Sequence, residues 1–306
     1  MNQRISIVVP AYNEAENLPV LAAEISKVLG AFDYEIIVVN DGSKDNSLSV
    51  LKQLNQADNR IQYVSLSRNF GHQKALRCGL SFATGDAIIS MDADLQHPPA
   101  MLPKLIEAWK SGCDVVVTQK VLNNNLSLPK RFSTFLFYKA INLISDVNIE
   151  HGAADFRLLD KKVLDVINKT PESDLFLRGY VEWVGFKKSV VAYTPAERFS
   201  GTAQYSWSKL FALALNGITS FSIKPLRVSA VIGAFISFLA FCYAIYAIYI
   251  FFFTDKAVTG WASLLVSMLF LGGLQLLMIG ILGEYIGKIF IQSKGRPDYV
   301  VGEKSL

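Results

Sequence analysis

The sequence predicts an α/β fold with a mostly parallel sheet, followed by two transmembrane helices. Three observations carry this reading. Short continuous apolar runs alternate with helix-like stretches through the first 120 residues. Polar clusters follow three of those runs directly. The last third of the chain holds two long segments without a charge.

The runs are "ISIVVP" (5–10), "YEIIVVN" (34–40), "IQYVSLS" (61–67), "DAIISMD" (86–92) and "DVVVTQ" (114–119). Between them lie "EAENLPVLAAEISKVLG", "KDNSLSVLKQLNQ", "HQKALRCGLSFA" and "PAMLPKLIEAWKSG", each with helical spacing of apolar residues. Strands that are apolar throughout, rather than alternating, belong to a sheet covered on both faces, and such sheets are parallel. Ligands of these sheets sit beyond the carboxyl ends of the strands. The clusters "PAYNEAEN", "NDGSKDNS" and "DADLQHPP" all fall at such ends, so they are expected to share one site.

Residues 228–253 and 261–283 are uncharged, and each exceeds the roughly 20 apolar residues that cross a bilayer core. Lys224 and Arg227 precede the first span, and Lys288, Lys294 and Arg296 follow the second. The connecting loop carries only Lys256, beside Asp255. Excess Lys and Arg mark the cytoplasmic side, so both ends are expected there. "RISIVVP" is too short for a secretory signal and is ended by Pro10, which agrees with a cytoplasmic first domain. Residues 129–145, "PKRFSTFLFYKAINLIS", mix Phe and Leu with Lys130, Arg131 and Lys139. They read as a helix in the membrane interface, or else as an ordinary core-facing helix. A second such segment spans 206–222. The expected organisation is a catalytic domain over 1–222, a two-helix membrane domain over 223–290, and a cytoplasmic tail over 291–306 that is loose after Gly302.

The chain has 306 residues, 51% of them hydrophobic, and a formal net charge of +4. That modest charge suits an anionic membrane surface and phosphate ligands. No basic stripe with stacking aromatics points to nucleic acid. Cys78, Cys113 and Cys242 are far apart and show no metal spacing, and a reducing cytoplasm disfavours disulfides.

Asp92 and Asp94 have the same parity, so on an extended strand both leave one face. Paired carboxylates repel unless a cation sits between them. Mg²⁺ or Mn²⁺ takes such oxygens and shares them with substrate phosphates. Gln96, of the same parity, extends the polar set. Gly42 permits a tight turn after Asn40-Asp41, Ser43 is placed to cap the next helix, and Asp41 is left to accept hydrogen bonds from a ribose or base. A plain turn is the bland alternative. Asn13 and Glu14 form a similar cluster after Pro10. There is no G-x-G-x-x-G and no G-x-x-x-x-G-K-[ST], so neither a dinucleotide fingerprint nor a P-loop is expected. His72, His97 and His151 show no ligand spacing and read as surface or hydrogen-bonded residues.

Taken in order, "VVPAYNEAENL", "VVNDGSKDNS", "LSRNFGHQKAL", "GDAIISMDADLQHPP", "ADFRLLD" and "ERFSGTAQYSWSKL", then two spans and "LGEYIGK", resemble the polyprenyl-phosphate glycosyltransferases. These are inverting GT-A (Rossmann-like) enzymes of family 2. The likeness is nearest to bactoprenol glucosyltransferases of O-antigen modification, with dolichol-phosphate mannose synthases more distant. It covers essentially the whole chain.

The resemblance implies a nucleotide-sugar donor bound by Pro10, Tyr12, Glu14, Asp41, Asp92 and Ala93. It implies Mg²⁺ or Mn²⁺ on Asp92, Asp94 and Gln96. It places Asp155, the assigned base, and Asp94 in catalysis, and Arg131, Arg157, Arg198, Ser200 and Tyr205 on the lipid acceptor's phosphate. The implied reaction moves glucose from UDP-glucose to undecaprenyl phosphate at the bacterial inner membrane. UDP-GlcNAc, UDP-galactose and GDP-mannose are alternative donors. Two spans per chain suit a homo-oligomer such as a tetramer, and the lipid-linked product implies a downstream flippase. The chain departs from the family at Ala154 (often Gly), Gln204 (often Lys) and His97 (often acidic).

A phosphate acceptor, with its second pKa at about 6, is already anionic at neutral pH. Asp155 is therefore expected to orient groups rather than take a proton. Processive synthases carry Q-x-x-R-W, which "QYSWSKL" lacks, and two spans are few for a polymer channel. A non-catalytic membrane subunit has no need of intact strand-end carboxylates.

Overall fold

The computed structural model describes residues 3–120, 153–173, 175–194, 222–253 and 260–306. The expected interface segment 129–145, the second one (206–222) up to residue 221, the loop 254–259, and Arg131, His151, Arg198, Ser200, Gln204 and Tyr205 lie outside the described residues.

The first half alternates as expected. Strand β1 (Arg4–Ala11), helix α1 (Asn17–Leu29), β2 (Asp33–Asn40), α2 (Ser47–Ala57), β3 (Ile61–Leu66), α3 (His72–Phe82), β4 (Ala87–Ser90), α4 (Leu102–Lys110) and β5 (Val115–Lys120) follow in turn. Then come β6 (Ala153–Asp160), α5 (Lys161–Lys169), α6 (Leu177–Trp183) and β7 (Lys188–Tyr193). Two long helices, α7 (Lys224–Phe253) and α8 (Trp261–Ser293), precede β8 (Val301–Lys304).

The sheet order is β7-β5-β6-β4-β1-β2-β3-β8. β1 pairs in parallel with β2 and β4, β2 with β3, and β5 with β7. Ile5, Ile7, Val9, Ile36, Val38 and Ile89 pack with α1 and α4 on one face, while Val8, Ile88, Leu76 and Leu80 pack on the other. Burial on both faces is why these strands lack alternation. Pro10 is tolerated in β1 for a local reason. Val8 O accepts from Met91 N, so residues of this parity face β4. Pro10, two residues on, faces past the end of β4 and leaves no ladder bond unmade.

One neighbour relation was not set by the strand pattern, and two expectations are corrected. β5 does not lie beside β4: the antiparallel β6 is inserted between them, with Ser90 opposite Arg157 and Val117 opposite the same residue. β4 stops at Ser90, so Asp92 and Asp94 lie in a turn, with Leu95 at φ 61°, and strand parity does not aim them. The tail is not loose. β8 pairs antiparallel with β3, and Ser305 N donates to Tyr63 O at 3.0 Å. β3 would otherwise be an open edge, and the tail satisfies its unpaired backbone groups.

α7 and α8 expose apolar side chains along their length, Val231, Phe238, Phe241, Leu269 and Leu276 among them. Both are long and apolar enough to cross a bilayer. The 33 residues of α8 span about 50 Å at 1.5 Å each. That exceeds a bilayer core of about 30 Å, so the helix reaches back to the catalytic domain.

Candidate active site

The C-terminal ends of β1, β2 and β4 gather the three predicted clusters at one sheet edge. The antiparallel β6 adds a fourth contribution, because its first residues lie beside the last residues of β4. Asp155 is thereby brought to Asp92, and Ser90 Oγ donates to the Asp155 carbonyl.

Asp155 is the most heavily held side chain of the site and is 4% exposed. Arg178, at the start of α6, grips it through two parallel bonds: Nε to Oδ1 at 2.8 Å and Nη2 to Oδ2 at 2.6 Å. Arg157 Nη2 donates to Oδ1 at 3.2 Å, and Gln73 Nε2 to Oδ2 at 3.0 Å. Burial works against the charge of this carboxylate. Arg178, Arg157 and His72 outweigh it and hold the carboxyl well below the usual range. The side-chain oxygen of Gln73 is buried without a hydrogen-bond partner among the described residues.

His72, the first residue of α3, bridges toward both acidic groups. Its Nε2 lies 2.8 Å from Asp92 Oδ1, and its Nδ1 is 3.9 Å from Asp155 Oδ2. Enclosure disfavours its charge, but the bond to Asp92 and the field of both carboxylates prevail and raise its pKa. His97 is of another kind. It is buried, stacks on Phe156 with ring centroids 5.0 Å apart, and Nδ1 accepts from Asp92 N at 3.0 Å. That bond leaves the proton on Nε2 of a neutral ring, and burial lowers its pKa. It shapes the turn that carries Asp92. Asp94 Oδ1 accepts from Gln96 N at 3.1 Å, a local turn bond that orients the second carboxylate. Both carboxylates remain half-buried rather than sealed, whereas the Ala93 methyl is part of the core.

The other end of the site departs from expectation at Ser43. Asp41 is 2% exposed, and both its oxygens are occupied, by Phe70 N at 2.7 Å and Gly71 N at 2.9 Å. Through these bonds it anchors the loop that launches α3 and so places His72 and Gln73. Burial, opposed by those two N–H groups, raises its pKa. Ser43 does not cap α2: its hydroxyl accepts from Asn13 N at 2.9 Å, while Asn13 Oδ1 accepts from Lys44 N at 2.8 Å. These bonds zip the β1 and β2 clusters together. Glu14 joins them through Ser47, whose hydroxyl accepts from Glu14 N at 3.0 Å. Tyr12, beside them, is half-buried. Gly42, at φ 62°, is required here, since a Cβ would lie 2.3 Å from the Arg68 carbonyl carbon.

Asp92 and Asp94 form a two-carboxylate donor set, and no cluster of three or more His, Cys, Asp or Glu suited to a metal exists among the described residues. Two carboxylates on a turn fit a hard cation that completes its shell with water and phosphate. They do not fit a closed structural site.

Residues 6–167 match the family model Glycosyl transferase family 2, and residues 224–289 match the GtrB C-terminal hairpin. The chain belongs to glycosyltransferase family 2. It is 40% identical over 298 residues to an uncharacterized glycosyltransferase, YkcC, of Bacillus subtilis, covering 97% of this chain and 92% of that one. It is 43% identical over 300 residues to a bactoprenol glucosyl transferase of Shigella phage SfV, covering 97% and 98%. Among solved structures, the mannosyltransferase PcManGT of Pyrobaculum calidifontis, in complex with GDP-Man and Mn²⁺, aligns with a TM-score of 0.51 at 18% identity. The alignment covers 72% of this chain and 64% of that one, and it shows a shared GT-A fold.

In this family 2 enzyme the site draws on three side chains that the sequence reading did not select. His72 and Gln73 follow the end of β3, a fourth strand end in the quoted "LSRNFGHQKAL", and that position was the available signal. Arg178 sits on α6 with no strand end, motif or spacing to single it out.

Proposed function

We propose that this glycosyltransferase moves a sugar from a nucleotide diphosphate to a polyprenyl phosphate, with inversion, at the cytoplasmic face of the bacterial inner membrane. UDP-glucose is the preferred donor and undecaprenyl phosphate the preferred acceptor. The relatives named as bactoprenol glucosyl transferases support both choices, and so does the match of α7 and α8 to the GtrB hairpin.

The carrying observation is the Asp155 cage. A general base needs a pKa near the working pH. Asp155 is instead clamped by Arg178 and Arg157, which stabilise its anion and weaken it as a base. Such a site suits a nucleophile that is already ionised, and a phosphate oxygen is one. In this reading Asp155 orients Arg178, whose side chain is 30% exposed and presents positive charge to the acceptor. Arg157, at 2% exposure, backs the carboxylate from within. Gln73 offers its buried carbonyl oxygen to a sugar hydroxyl. Arg131, Arg198, Ser200 and Tyr205 are assigned to the acceptor phosphate by resemblance, and Pro10, Tyr12, Glu14, Asp41 and Ala93 to the donor.

Asp92 and Asp94, with Gln96 beside them, would hold Mg²⁺ or Mn²⁺. When bound, the ion neutralises charge on the departing diphosphate. The mannosyltransferase relative solved with Mn²⁺ supports this assignment. The same reading has the chain working as a homo-oligomer and supplying a lipid-sugar flippase. The test is purified protein with undecaprenyl phosphate and a panel of nucleotide sugars, with lipid products read by mass spectrometry. A glucosyl lipid from UDP-glucose is expected. Sugar released to water alone, or a polymer, would overturn it.

A further inference from the structure

The end of α8 and the segment after it are bound to the catalytic domain by polar contacts at Gln292 and again from Asp298 onward. In the last turn of α8, Gln292 Nε2 donates to Pro171 O at 2.8 Å, and its Oε1 accepts from Ser173 N at 2.7 Å. Asp298 then meets Arg77 at 2.6 Å, with side chains 13% and 18% exposed. The same guanidinium donates to the carbonyls of Thr170 and Glu172. Tyr299 and Ser81 share a hydrogen bond at 3.0 Å. Glu303 pairs with Lys52 at 2.7 Å and accepts from Tyr63 Oη at 2.7 Å, while β8 extends the sheet. Arg77 thus joins three pieces: α3, whose first turn carries His72 and Gln73; the loop that leads to α6 and Arg178; and the segment that follows the membrane helix.

We propose that residues 292–305 are a second tether that fixes the orientation of the catalytic domain over the membrane, with Arg77 and Asp298 as the positioning pair that locks it. A domain joined to a bilayer at one point, the entry to α7, is free to tilt. A second attachment through α8 removes that freedom. The feet of the two helices are themselves joined, since Tyr285 Oη donates to the Ser222 carbonyl at 2.7 Å. The tether matters because the proposed acceptor is confined to the bilayer surface. The inference rests on that reading: presenting the site at one angle raises the effective concentration of an embedded phosphate and does nothing for a soluble one.

The test uses the full chain in nanodiscs. Cys113 and Cys242 are replaced by Ser; Cys78 is buried, with its thiol pushed up to about 12, and stays unreactive. Nitroxides are placed at exposed Glu24 on α1 and Val228 on α7. One narrow distance is expected in the parent protein. Broadening is expected in Asp298→Ala and in a chain ending at Gly295, with recovery in Asp298→Glu. In liposomes, kcat/KM on undecaprenyl phosphate should fall about tenfold or more in both variants. Activity on a short-chain, water-soluble prenyl phosphate should change by less than about twofold. An unchanged distance width, or equal losses on both acceptors, would overturn the tether. If the shortened chain fails to fold, Asp298→Asn carries the same comparison. If the parent protein glycosylates neither acceptor, the proposed function fails, and the distance measurement still decides the tether.

Discussion

Arg178 holds Asp155 in a two-point fork, 2.8 Å from Nε to Oδ1 and 2.6 Å from Nη2 to Oδ2, across the seam between α6 and β6. Lysine supplies the charge of arginine but not the fork. Arg178→Lys is therefore expected to lose about 10²-fold in kcat/KM for the lipid acceptor, with donor KM little changed. Steady-state kinetics check this. Full activity in the Lys variant would show that charge alone suffices.

The Asp155 carboxyl is held below its unfolded value, so its stabilising contribution is present above the unfolded pKa of about 3.9 and is lost as pH falls through the folded value. The stability difference between wild type and Asp155→Asn should then hold between about pH 5 and 6 and shrink above about 6.5, because Asp155 also helps raise the pKa of His72 and that share is lost as His72 gives up its proton. The Asn variant should lose about 10²-fold or more in rate and keep a flat profile above about pH 7, because the acceptor is already an anion. A steep rise between about pH 7 and 9 in the variant, absent from wild type, would restore the assigned base role.

Asp92→Asn and Asp94→Asn are each expected to abolish transfer, and EDTA to stop the wild-type enzyme. Calorimetric titration with Mn²⁺ should lose its binding signal in both variants. Full turnover in EDTA would remove the cation from the mechanism.

Orientation is checked by thiol labelling of intact cells. A cysteine within residues 254–260 should react with an impermeant reagent, and one replacing Val300 should not. The reverse pattern would place the catalytic domain outside.

Gly42→Ala should cost about 1–3 kcal/mol, since a left-handed backbone and a collision with Arg68 are both imposed. Thermal unfolding reads the loss. Activity should fall further than stability explains, because Asp41 and the 70–71 loop that launches α3 move with it.

The sequence by itself determined the parallel half of the sheet, the two long apolar helices and the strand-end clusters. Each is a local pattern: runs such as Ile7–Val9 and Ile36–Val39 are apolar because both faces are covered, and Asp92 and Asp94 announce themselves by spacing. Tertiary structure decided which elements became neighbours. Nothing local tells β6 to insert between β4 and β5, yet that insertion carries Asp155 to Asp92. Arg178 reaches the site only because α6 packs there, and Asp41 turned inward because the loop at 70–71 needed its backbone N–H groups satisfied. The four residues of β8 carry too little pattern to register as a strand; they became one because β3 offered an unpaired edge. Periodicity records which face of an element is buried, whereas pairing across the chain is settled by hydrogen-bond and charge satisfaction between segments far apart in sequence.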